Sequence, residues 1–129
     1  GLRRIAGQGA TIIGHQNVQT RMEKQKAPAP PSDTYFDDRR SKFHNGEPVE
    51  IFPLPNAITD GDSIVHFGRS DVIATGDIFT TTQYPFIDIK NGGSLQGEIQ
   101  ALNFILEQNR LCSRRGRRDD AHSRTRARH

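Results

Sequence analysis

Apolar residues along this chain come in short runs separated by turn signals, and one long helical stripe appears late. The opening GLRRIAGQG reads as the end of a helix stopped by Gly7 or Gly9. Residues 10–14, ATIIG, form an apolar run with β-branched side chains, which predicts a buried strand. In HQNVQTRMEK, Val18 and Met22 stand at i and i+4, so residues 16–25 are expected to form a short amphipathic helix. APAPPSD then breaks regular structure, and its clustered prolines favour an extended connector.

The clearest local signal lies in SKFHNGEPVEIFPLP. Asn45-Gly46 favours the paired positive φ angles of a type I′ turn, joining residues 41–44 and 47–52 as a hairpin. Val49 and Ile51 alternate with Glu50, as in a strand with one buried face. DSIVHF and DVIATG predict a second hairpin across Gly68, Arg69 and Ser70. TTTQYPFIDI is rich in β-formers, but Pro85 restricts it to an edge strand or an extended loop. Ser94 can cap a helix running to about Gln108, with Leu95, Ile99, Leu102, Ile105 and Leu106 on its apolar face. This order predicts an α+β fold, an antiparallel sheet backed by helices.

After residue 109 the pattern stops. Residues 110–129 hold eight arginines, no lysine and few apolar side chains, which predicts a disordered tail over 109–129 beside a domain over 1–108. The net charge of +3 therefore belongs to the tail, while the body leans acidic. An apolar fraction of 33% and a mean hydropathy of -0.72 limit the domain to a thin core. The single cysteine, Cys112, excludes an internal disulfide framework and a Cys-rich zinc cluster. No apolar run approaches the roughly 20 residues of a membrane span. Without an initial methionine or an apolar signal segment, the chain is expected to begin inside a domain.

The first candidate for chemistry is Asp77, which follows the run VIATG. A carboxylate at a strand end is anchored by the sheet while its oxygens face the loops, which suits a hard or borderline metal ion. A turn aspartate capping the next segment is the plainer alternative. Around it, T-D-G-D-S, S-D-V-x-x-T-G-D, Y-P-x-I-D and G-G-S-x-x-G occur in that order, preceded by GATIIGHQNV, TYFDD and the NGEPVEI hairpin. This succession, over about residues 5–108, resembles the metallo-β-lactamase-fold hydrolases and in particular a glyoxalase-II-like branch.

The resemblance implies a partial αββα sandwich with a metal site at one sheet edge. Such hydrolases hold one or two zinc ions, whose bound hydroxide attacks an ester, thioester, lactone or β-lactam of a small-molecule substrate. By the same resemblance, Asp77 matches the metal-bridging aspartate. The histidine expected before T-D-G-D is Ile58, which has no lone pair to offer. The H-x-H-x-D-H segment would lie before residue 1, and the last histidine, in a G-H-G-type loop, has no match. The implied chain is incomplete, with most zinc ligands absent. It is expected not to retain zinc, and its standing as an enzyme stays open because a catalytic zinc needs three protein ligands.

Other polar residues carry plainer roles. His15 is expected on the surface or as a helix cap, His44 solvated beside its turn, and His66 half-exposed on a strand. The histidines of D-D-A-H and position 129 fall in the tail. Asp60 is expected to accept backbone N–H groups in an Asx-type turn, with Gly61 at positive φ beside Asp62. Tyr84 is expected to pack and Asp88 to fix its loop.

The tail supports a different class of reading, a non-enzymatic arm binding nucleic acid or other polyanions through its arginines. Against nucleic acid, the tail offers no aromatic side chain for base stacking. Its composition also matches GC-rich DNA read in a shifted frame. The shifted-frame reading predicts that the DNA after codon 108, in one of the other two forward frames, encodes a G-H-G-type loop. Early stops or no histidine loop in both frames would instead favour the basic arm.

Overall fold

The structure, a computed structural model, describes the backbone of residues 1–126, with side chains described as far as Leu111 and at Arg114. Helix α1, Leu2–Gly7, is followed by strand β1, Ile13–His15, and helix α2, Gln16–Lys24. Strand β2, Asp33–Tyr35, returns beside β1 in parallel, with Ile13 opposite Asp33 and His15 opposite Tyr35. Strands β3, Arg40–His44, β4, Glu47–Leu54, β5, Asp62–Phe67, and β6, Val72–Ala74, form a four-stranded antiparallel sheet in sequence order. Helix α3 covers Leu95–Arg126.

The predicted turn at Asn45-Gly46 is present, with φ of 50° and 76° at the two residues. The second hairpin, β5–β6, also forms as expected. Strand β1 begins three residues later than the apolar run, and β2 was not anticipated. The TTTQYPFIDI segment is an irregular loop, interrupted by a short 3-10 turn at Ile89–Asn91.

Strand alternation gives the main sheet two distinct faces. On one face Phe52, Leu54, Ile64 and Ile73 meet Ala101, Leu102, Phe104 and Ile105 of α3. The Phe52 and Phe104 rings meet edge to face, 5.2 Å between centroids. On the other face Ile51 is buried, and β2 is fastened by polar contacts. Asp33 accepts hydrogen bonds from Arg40 at 2.6 Å and Lys42 at 2.7 Å, while the Tyr35 hydroxyl lies 2.6 Å from Ser63 Oγ. Lys42, then Arg40, hold the Asp33 carboxyl below the usual carboxylate range. These contacts build a partial αββα sandwich, an α+β architecture.

Helix α3 departs from expectation in two ways. Its buried stripe is Gly97, Glu98 and Ala101, continued by half-buried Phe104 and Ile105. Leu95, Ile99 and Leu106, expected to face the core, are exposed. Close approach decides the rotation, because Gly97 lies directly against the backbone oxygen of Asn56. The helix also runs on past residue 109 to Arg126, where a disordered tail was expected. Arginine, alanine and leucine are good helix formers and no proline interrupts them, so hydrophilic composition did not break the helix. D-D-A-H, Cys112 and His129 lie outside the described side chains. Among the described residues no helix is long and apolar enough to cross a membrane.

An alanine normally improves a helix interior over glycine by about 1 kcal/mol. Here the added Cβ would overlap Asn56 O, so Gly97→Ala should lower stability by about 1–3 kcal/mol. Urea denaturation of the two proteins checks the sign, and a more stable variant would show that α3 is not seated this closely.

Candidate metal-binding edge

The loop after β4 and the loop before α3 are joined by backbone hydrogen bonds. Ser94 N–H donates to the oxygens of Asn56 and Ala57, both at 3.0 Å. Asp88 N–H donates to Ile58 O at 2.8 Å, and Asp60 N–H donates to Asn91 O at 3.0 Å. The Ser94 hydroxyl donates to Asn56 O at 2.8 Å and accepts Gly97 N–H at 3.0 Å, the helix cap predicted from sequence. Gly93 has no room for a Cβ, which would collide with the Ile58 carbonyl. The clasp holds Ala57 and Ile58 at 0% and 8% exposure, within the core cluster.

Asp77 sits in a 3-10 turn, Gly76–Ile78, just beyond β6, with Gly76 at φ 56° and Ile78 buried beneath it. The carboxylate is exposed and lines a cleft of about 560 Å³ with Ile58, Thr59, Phe79, Phe86 and Asp88. Asp77 and Ile58 thus line the same cleft. Asp88 lines it too, but its carboxylate is engaged by Asn91 side chain and backbone N–H at 2.6 and 3.2 Å. Those bonds hold Asp88 below its ordinary pKa, and loop fixing is its role, as expected.

Behind Asp77 lie two further acids. Asp62 reaches back to accept Thr59 N–H at 2.6 Å, and the Thr59 hydroxyl accepts Gly61 N–H at 3.1 Å, so Asp62 and Thr59 close this turn where Asp60 was expected to. Burial raises the Asp62 pKa, with a smaller push from the Asp77 charge, against hydrogen bonds that lower it. Glu98 on α3 is 2% exposed, and neither carboxylate oxygen has a hydrogen-bond partner among the described residues. Burial, and then the charge of Asp62, push the Glu98 pKa up. Sequence reading missed Glu98, although small Gly97 and Ala101 flanking it mark where the helix meets the sheet.

No protein-family profile and no curated protein matches the amino-acid sequence. The structure is similar to that of a metallo-β-lactamase from Pontibacter korlensis, with a TM-score of 0.67 at 13% identity, over 84% of this chain and 50% of that one. The fold is of the metallo-β-lactamase type. The chain spans half the length of that neighbour. At this identity the likeness establishes the fold alone, and the glyoxalase-II-like branch does not follow from it.

Within the metallo-β-lactamase fold, the remaining polar residues take structural positions. His15 caps α2, its Nδ1 accepting Asn17 N–H at 3.1 Å, but it is buried against Tyr35 and Phe36 rather than on the surface. His44 is exposed. His66 is buried where half-exposure was expected, because the α3-facing side of the sheet also brings Glu50 and Asp71 to its ring at 3.8 and 3.4 Å. Asp60 pairs with Arg21 of α2. Gly61 has no positive φ; a Cβ there would meet Val18 Cγ2 at 2.6 Å, so close packing on α2 is what requires glycine. Tyr84 is 96% exposed rather than packed.

Zinc is the metal implied by the resemblance, and the described residues do not fit it. No group of three His, Cys, Asp or Glu side chains among them stands where it could hold a metal ion. Ile58, where the resemblance implies a histidine, has its side chain in the core cluster.

The acids behind the rim give a pH signature. A carboxyl whose folded pKa is raised contributes stability fully present below its unfolded pKa and lost as pH rises through the folded value. Both Asp62 and Glu98 act in this direction, so their contribution to stability should fall as pH rises from about 4 toward neutrality, opposite to that of Asp33, Glu47 and Asp88. Glu98→Gln removes the titration at similar volume and should be more stable than the parent at pH 7, by about 1–3 kcal/mol. The gain should shrink at pH 4. Melting curves at both pH values check this, and an equal or lower melting temperature for the variant at pH 7 would contradict it.

Proposed function

We propose that residues 1–108 are part of a metal-dependent hydrolase of the glyoxalase-II-like branch, and that this chain by itself neither retains zinc nor turns over substrate. The observation that carries the reading is that Asp77 and Ile58, the residues which the motif order assigns to a bridging aspartate and a histidine ligand, line one cleft. The motif order T-D-G-D-S, T-G-D, Y-P-x-I-D and G-G-S-x-x-G supports the branch. The fold and the half-length match to a metallo-β-lactamase support the hydrolase class.

Asp77 would be this chain's contribution to a metal centre, with the other ligands coming from elsewhere. A single carboxylate offers one of the three protein ligands that a catalytic zinc requires. When bound, zinc supplies a hydroxide nucleophile near neutral pH and polarises the substrate carbonyl. In this chain, the buried Ile78 anchors the turn that carries Asp77, and Ile58 adds an apolar residue to the cleft lining. The substrate class is a small molecule with an ester, thioester, lactone or β-lactam bond.

Elemental analysis of the purified chain after dialysis against zinc-free buffer should give well below one zinc per molecule. Assays with a lactone, a thioester and a β-lactam should show no turnover above buffer. Stoichiometric zinc surviving dialysis would overturn the proposal.

A further inference from the structure

A second cleft, of about 410 Å³, lies between α2 and the loop around Asn91. Its lining contains no aromatic or aliphatic side chain, so it is not built for an apolar ligand. Thr20, Arg21 and Lys24 line it from α2, where three- and four-residue spacings share a helix face. Lys90 lines it from the opposite wall.

Two features hold Arg21 and the backbone of the Lys90 loop in place. Arg21 is paired with Asp60, whose own N–H donates to Asn91 O and whose carbonyl accepts Asn17 Nδ2 at 3.2 Å. Gly92, at φ 88°, closes the Lys90 loop onto Asp60; a Cβ there would meet Asp60 Cβ at 2.8 Å. Asp60 balances the Arg21 charge and leaves two lysines facing the same polar space. Neither Lys24 nor Lys90 has an ion-pair partner among the described residues.

We infer that this cleft binds the phosphate end of a small phosphorylated molecule, with Lys24 and Lys90 meeting the two charges of the dianion. The Thr20 hydroxyl and the remaining Arg21 N–H groups supply directed donors, and the lysines act as point charges. A dianion matches the two uncompensated positive charges, whereas a monocarboxylate leaves one of them unmet. The site uses none of the residues of the Asp77 rim, so it stands independently of the metal reading.

The test is residue-resolved amide NMR on the full chain at fixed ionic strength, titrating inorganic phosphate and, separately, acetate. Phosphate should give saturable shifts centred on Thr20, Lys24, Asn91 and Gly92, and acetate should not. The double variant Lys24→Gln with Lys90→Gln should weaken phosphate binding at least about tenfold while keeping the parent's spectrum elsewhere, since two charge-assisted contacts are lost. Lys26→Gln, outside the cleft, should leave the affinity unchanged. Shifts confined to residues 110–126, equal shifts with acetate, or unchanged affinity in the double variant would each overturn the inference.

Discussion

The docking of the 56–60 loop onto the 88–94 loop constrains most of what this structure does. Four backbone N–H···O bonds, donated by Asp60, Asp88 and Ser94, satisfy polar groups that the buried Ala57–Ile58 corner would otherwise leave unpaired. The same contact sets the start of α3 through Ser94, so helix and sheet are placed by one junction. Gly93 and Gly97 are there because the two chains approach too closely for a side chain. Without the junction, α3 would lose its register on Phe52, Leu54 and Ile64, and the Asp77 turn would lose the floor that Ile78 builds on the core cluster.

That geometry also explains the chemistry of the rim. Ile58 is at once a core residue and a rim residue, since the clasp fixes its carbonyl on Asp88 N–H while its side chain joins the core cluster. The apolar choice there is compatible with burial and incompatible with ligation. Seating α3 so tightly carries Glu98 beneath the sheet, where burial and then the charge of Asp62 raise its affinity for protons, while burial and then Asp77 raise that of Asp62. The acids form a graded set, from exposed Asp77 through half-buried Asp62 to fully buried Glu98.

Much of this was legible in the residues where local chemistry decides the outcome. Asn45-Gly46 specifies its turn by backbone preference, and Ser94 specifies a cap by its side-chain oxygen, so both could be read directly. The motif order singled out Ile58 and Asp77, and both line one cleft. What escaped was set by contacts distant in sequence. Strand β2 is three residues following a proline-rich connector, and it exists because β1 pairs with it and Arg40 and Lys42 hold Asp33. Periodicity gave the α3 helix and, in Leu102 and Ile105, part of its packed face, but the clearance at Gly97 left Leu95, Ile99 and Leu106 exposed. The burial of His66 depends on Glu50 and Asp71 arriving from a neighbouring strand and a turn, which strand alternation alone does not reveal.

Native-state amide hydrogen exchange measures the central constraint most directly, because it reports how often each backbone bond opens. If the loop junction organises the molecule, the amides of Asp60, Asp88 and Ser94 should exchange as slowly as those at the centre of β4 and β5, despite lying outside regular secondary structure. Exchange of these three amides at the rate of the exposed 80–84 loop, while the strands stay protected, would contradict the account.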